Sequence, residues 1–159
     1  MKLEERIGKI LTEKGLKIAI SESCTGGLVG HLITNVSGSS NYFEASLVTY
    51  SNESKWKFLN VDKEVLDEKG AVSEEVAVLM AKGVRKATGV DIGLSVTGIA
   101  GPTGGTKDKP VGLVYIGLSV KEGDLVRKFL FSGERMEIKE KAAYETLNLL
   151  LDYLEGRLF

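Results

Sequence analysis

The chain has one cysteine, Cys24, one histidine, His31, one tryptophan, two prolines and no glutamine. A lone cysteine excludes an internal disulfide and agrees with a reducing compartment. One thiol and one imidazole are also too few for a typical zinc site, and no metal or other cofactor is expected. Charge of a single sign is missing as well. The 21 basic and 22 acidic side chains nearly cancel, so no domain-wide positive field exists to hold nucleic acid by counterion release. No apolar run approaches the roughly 20 residues that span a bilayer, and Met1-Lys2-Leu3-Glu4-Glu5 lacks the apolar stretch of a signal peptide. A cytoplasmic protein with neither nucleic acid nor membrane as partner is expected. The absence of glutamine beside 16 Lys and 16 Glu is a bias shared with proteins from hot environments.

What is present is enough for one ordinary core. With 159 residues, 43% of them hydrophobic, residues 1–159 read as a single domain. Leu3, Ile7, Ile10 and Leu11 recur at helical spacing ahead of Gly15, which predicts a helix over 2–14. A strand over 17–20 runs into the polar turn 21–27, and Leu28, Val29, Leu32 and Ile33 mark the next helix. Residues 42–50 read as a strand, and Ser51-Asn52-Glu53-Ser54-Lys55 opens a short helix carrying Trp56 and Leu59. A longer helix follows Ser73, with Val76, Leu79, Met80, Gly83, Val84 and Ala87 inward, and ends at Gly89. Residues 91–97, 111–120 and 125–131 read as strands, the last two joined by Lys121-Glu122-Gly123-Asp124. Ile138, Ala142, Leu147, Leu150, Leu151 and Leu154 line a closing helix. Five strands alternating with helices predict an α/β fold, a three-layer α/β/α domain with a mixed sheet.

Three polar, glycine-rich segments follow predicted strands: 21–27, 97–106 and 132–135. In open α/β sheets the carboxyl ends of strands border the ligand crevice, so distant segments can share one site. Ser23 stands three residues before Gly26-Gly27, where its hydroxyl can lie beside backbone N–H groups able to hold an oxyanion. Ser23 or Thr25 serves equally well as a helix N-cap. Cys24 is a rival nucleophile if a helix start lowers its pKa, and a buried packing residue otherwise. His31 is a poor base, because one turn into the helix it should point away from Ser23. A lysine can act as base when desolvation lowers its pKa, and Lys55 is the best placed by topology. The glycine-rich run 98–106 lacks the Gly-Lys-Ser/Thr ending of a phosphate loop. Its glycines still let backbone approach a ligand closely, as they would in an ordinary connection. Arg135, one of five arginines, offers bidentate contacts to a phosphate, or else is a solvated first-turn charge.

Taken together, Glu22-Ser23-Cys24-Thr25-Gly26-Gly27, Val48-Thr49-Tyr50-Ser51-Asn52-Glu53-Ser54-Lys55, Gly70-Ala71-Val72-Ser73 and Thr97-Gly98-Ile99-Ala100-Gly101-Pro102 closely resemble the CinA C-terminal domain family. Ser37-Gly38-Ser39-Ser40, Lys109-Pro110-Val111-Gly112 and Phe131-Ser132-Gly133-Glu134-Arg135 extend the match over nearly the whole chain. The resemblance implies an amidohydrolase that converts nicotinamide mononucleotide to nicotinic acid mononucleotide and ammonia through a serine–lysine pair. Carried over, Ser23 is the nucleophile and Lys55 its base. Tyr50, Asn52, Thr25, Gly26, Gly27, Thr97, Gly98 and Gly101 surround the substrate, with Arg135 at its phosphate. Ser21 stands where alanine is common, and Lys139-Glu140 where the family often has consecutive arginines. The partner so implied is a small pyridine nucleotide, and family habit with the apolar tail Leu154–Phe159 implies a homo-oligomer. Two other readings stay open: a nucleotide-binding scaffold without turnover, and an amidase for another carboxamide.

Overall fold

The computed structural model describes residues 1–159. Helix α1 (Leu3–Lys14) turns Ile7 and Leu11 inward and ends at Gly15, whose φ of 66° is strained for any residue with a Cβ. Strand β1 (Ile18–Glu22) is buried along its whole length, as a strand covered on both faces must be. Helix α2 (Leu28–Thr34) leads to β2 (Phe43–Val48). Helices α3 (Asn52–Leu59), α4 (Lys63–Lys69) and α5 (Glu74–Thr88) then precede β3 (Ile92–Gly98). Strands β4 (Leu113–Val120) and β5 (Gly123–Leu130) form a hairpin, and α6 (Arg135–Leu154) closes the chain.

The sheet order is β2-β1-β3-β4-β5. Strands β2, β1 and β3 are parallel, while β3–β4 and β4–β5 pair antiparallel. The carboxyl ends of β1, β2, β3 and β5 therefore share one edge of the sheet. Glu22, the last residue of β1, pairs with Val48 on one side and Val96 on the other. That register sets Ser23, Thr49 and Thr97 side by side where the chain leaves the sheet.

Period-two alternation divides the strands between two cores. Ile18 and Ile20 pack with Ile7, Leu11, Val29, Ile33 and Leu147 from α1, α2 and α6, whereas Ala19 packs with Leu59, Leu66, Val76, Met80 and Val84 from α3, α4 and α5. This is the three-layer α/β arrangement with a mixed sheet. No helix is long and apolar enough to cross a membrane.

Three local expectations change. Strand β1 runs two residues into the expected polar turn, because Ser21 and Glu22 are fully buried yet hydrogen-bonded. Helix α4 was not anticipated: it spans seven residues and buries only Leu66, too little for periodicity to register. Its one sequence signal is Asp62, whose carboxylate accepts from the Glu64 N–H at 2.8 Å. The β4–β5 turn is also tighter than expected, with only Lys121 and Glu122 between the strands.

Candidate active site

Ser23 leaves the end of β1 with its N–H donating to the Val96 carbonyl of β3 at 3.0 Å. Ser23 is buried, with 7% exposure, so little water reaches its hydroxyl. On the other side, the Thr49 N–H donates to the Glu22 carbonyl at 2.9 Å. The chain then enters α3, whose N-cap is Ser51, with Oγ accepting from the Ser54 N–H at 3.1 Å. A helical side chain leans toward its own N-terminus, and Lys55, in the first turn of α3, points back at the strand ends.

Lys55 is fully buried, and its Nζ lies 2.9 Å from Ser23 Oγ, 2.7 Å from the Thr49 carbonyl and 3.1 Å from the Tyr50 carbonyl. No carboxylate pairs with it. Burial away from water lowers its pKa from the ordinary 10.5 to about 8, against a small opposing influence from Cys24. A neutral amine has two N–H donors and one lone pair. Two carbonyls take the donors, which leaves the lone pair for the Ser23 hydroxyl.

Cys24 has the opposite character. Burial pushes its thiol up to about 12, with a further push from Glu22, so it stays protonated and is a packing residue of the core. His31 is exposed on α2, its ring against the Asn35 side-chain amide at 3.3 Å, and takes no part in the site.

The turn itself is organised by a residue that the sequence reading did not single out. Glu22 Oε1 accepts from Thr25 Oγ1 at 2.6 Å, the Val29 N–H at 2.9 Å and the Gly27 N–H at 3.2 Å. Its Oε2 accepts from Ser46 Oγ at 2.5 Å and the Gly30 N–H at 3.0 Å. Because the Gly26 N–H donates to the Ser23 carbonyl at 3.1 Å, the expected oxyanion donors around Gly26 and Gly27 are already engaged. The N–H groups of Cys24 and Thr25 donate to no other residue, which moves the free donors to the positions directly after Ser23. Thr25 likewise turns its hydroxyl inward to Glu22 and not toward a ligand. A stretch reading acid-Ser-Cys-Thr-Gly-Gly before a helix was the available signal for Glu22.

Arg135 opens α6 and ties two loops together: its guanidinium donates to the Gly101 carbonyl at 2.7 Å and to the Tyr50 hydroxyl at 3.3 Å. Tyr50 is 60% exposed at this mouth. One turn further along α6, Lys139 Nζ lies 3.8 Å from where a Cβ on Gly26 would sit, so a second cation reaches the turn. The i, i+4 spacing from Arg135 was its sequence signal. Thr97 stands at the end of β3 beside Ser23, but its hydroxyl donates to the Ala71 carbonyl at 2.9 Å. Gly98 is required by packing, since a Cβ there would meet Val114 and the Leu113 carbonyl within 3 Å. Asn52 is not brought to the dyad: it is exposed and lines a groove of about 260 Å³ with Trp56 and Lys63, whose ammonium lies 3.6 Å over the Trp56 ring. Hydrogen bonds thus link Ser23, Lys55, Tyr50, Arg135 and Gly101 in one chain of contacts at the strand ends, beside Gly26 and Gly27 of the turn.

A family model described as the CinA C-terminal domain matches residues 1–154. A protein of Moorella thermoacetica described as competence-damage inducible is 54% identical over 148 residues, covering 93% of this chain and 36% of its own length. A CinA-like protein of Kosmotoga olearia is 52% identical over the same length, with the same coverage. The chain therefore spans about a third of the length of these curated relatives. Among solved structures, the competence/damage inducible protein CihA from Agrobacterium tumefaciens superposes with a TM-score of 0.94 at 36% identity, covering 97% of this chain and 94% of that one.

Proposed function

Because this chain belongs to the CinA C-terminal domain family, we propose that it is an amidohydrolase that converts nicotinamide mononucleotide to nicotinic acid mononucleotide and ammonia. The observation that carries the reading is the buried Lys55 Nζ at 2.9 Å from Ser23 Oγ, with no carboxylate to keep it charged.

The neutral amine of Lys55 takes the Ser23 proton as Oγ attacks the carboxamide carbon. The carbonyl oxygen becomes an oxyanion, for which the N–H groups of Cys24 and Thr25, donating to no other residue, are the donors nearest the nucleophile in sequence. The Lys55 ammonium returns a proton to the leaving nitrogen, and ammonia departs from the acyl-enzyme. Water, deprotonated by the same amine, then attacks the ester and releases the acid and free Ser23. At the mouth, the Arg135 guanidinium and Lys139 ammonium suit the nucleotide phosphate, and Tyr50 offers a ring face to the pyridine.

Incubation of the protein with nicotinamide mononucleotide, following ammonia and the acid product together, tests the proposal. Equimolar release is expected, and Ser23→Ala is expected to lose about a thousandfold or more in kcat with binding nearly unchanged. Full activity in Ser23→Ala removes the nucleophile assignment. Binding by the parent without ammonia release removes the amidase.

A further inference from the structure

Glu22 is a fully buried carboxylate that the proposed chemistry leaves unused. It has no solvent exposure, and a carboxylate carried into an interior is costly unless its lone pairs are filled. Here they are filled by five donors drawn from three parts of the fold. Thr25 Oγ1 and the Gly27 N–H come from the nucleophile turn. The Val29 and Gly30 N–H groups belong to α2, and Ser46 Oγ is on β2. The main chain of the same residue acts on the other half of the dyad: its carbonyl holds the Thr49 N–H at 2.9 Å, and the Thr49 carbonyl in turn accepts from Lys55 Nζ at 2.7 Å.

We propose that Glu22 is a positioning residue for the dyad, its carboxylate folding the 23–27 turn so that the Cys24 and Thr25 N–H groups stay free and converge on the oxyanion. The assignment rests on the amidase reading of the site. The physical reason lies in how the turn spends its donors. Glu22 takes the Thr25 hydroxyl and the N–H groups on the α2 side, and the Ser23 carbonyl takes the Gly26 N–H. Only the two donors next to the nucleophile are left over. Crowding leaves little freedom for another arrangement, since a Cβ on Gly30 would lie 3.0 Å from Ser46 Cβ and 3.5 Å from Glu22 Oε2. Glutamine at position 22 keeps the shape but presents an NH2 group where N–H and O–H donors already point, so the turn must rearrange.

The test uses a fluorophosphonate ester as well as the carboxamide. Ser23 Oγ bonds to phosphorus, fluoride leaves, the serine proton passes to Lys55, and the phosphonyl oxygen occupies the oxyanion position. Labelling is followed by intact mass at about pH 9, above the midpoint of Lys55, so that a change in base ionisation does not imitate a change in geometry. For Glu22→Gln, labelling rate and kcat are expected to fall together by about a hundredfold while KM stays within about threefold, as for loss of oxyanion donors. Thr25→Val, which removes one donor to the carboxylate, is expected to lose about tenfold, and Thr25→Ser to recover most of it. A folded Glu22→Gln that labels at the parental rate overturns the proposal. If that variant does not fold, equal labelling of Thr25→Val and Thr25→Ser overturns it instead. A parent that is labelled but releases no ammonia ends the amidase reading and leaves Glu22 to be judged on labelling. A parent that is neither labelled nor releases ammonia ends both, and one that releases ammonia without labelling leaves Glu22 to be judged on kcat.

Discussion

Lys55 shows how one side chain can be made a base by its surroundings. Among 16 lysines it is the fully buried one, and its pKa of about 8 follows from desolvation without a compensating carboxylate. Two measurements follow. Turnover should rise with pH as the amine is deprotonated and level off above about 8, and the profile should report this group alone at its acid limb. Stability should respond as well. In the unfolded chain the lysine keeps its ordinary pKa near 10.5, so between about 8 and 10.5 the unfolded state binds more protons and folding is favoured as pH rises. Below about 8 the cost of burying the charge is felt in full. Relative to Lys55→Met, the parent should gain about 3 kcal/mol between neutral pH and pH near 11, read from urea unfolding. A flat difference would mean that the buried amine is not depressed. At this scale Ser23 was legible from its place before Gly26-Gly27, whereas Lys55 was singled out by topology and resemblance. Burial is what distinguishes it, and burial is not written in a lysine codon by codon. The Gly27 N–H, expected as an oxyanion donor, is taken by a carboxylate five residues before it, and the Gly26 N–H by the Ser23 carbonyl.

Caps and pitch set the aim of these side chains at the scale of the element. Ser51 caps α3, and the first turn that it fixes is the one that holds Lys55. Ser51→Ala should cost about 1 kcal/mol in stability. Because the cap sits four residues from the base, kcat should fall more than KM rises; a loss of stability with parental kcat would separate the cap from the base. Helix α6 does the corresponding work at the mouth, where its pitch puts Arg135 and Lys139 on one face. Ser51, Ser73 and the αL glycines at 15 and 89 were readable helix signals, and the structure places caps at each. Helix α4 escaped because a single buried leucine carries no period. The end of β1 was misread because Ser21 and Glu22 look like a polar turn, while their partners on β3 and β2 lie 73 and 24 residues away in sequence.

Across the whole molecule, the parallel register of β2, β1 and β3 brings residues 23, 49 and 97 to one edge, and the two cores hold that register. A tight seam between sheet and helix lies at Gly117 of β4, where a Cβ would meet Ser95 Oγ at 2.5 Å and the Ala77 carbonyl at 2.6 Å. Gly117→Ala should therefore destabilise by about 2 kcal/mol, or roughly 5 °C in Tm for a chain of this size. An unchanged melting curve would show that α5 shifts without cost. Hydrophobic periodicity and cap residues in the sequence determined the kinds and order of the elements other than α4, and with them the α/β class, because the buried faces of helices and strands leave a repeating mark on the chain. The tertiary structure alone decided which lysine loses its water, which N–H groups remain free and which acid organises the turn. Those properties depend on desolvation and on hydrogen-bond competition in which local partners are joined by distant ones, such as Ser46 with Glu22, 24 residues apart, and Lys55 with Ser23, 32 apart, and no local pattern records them.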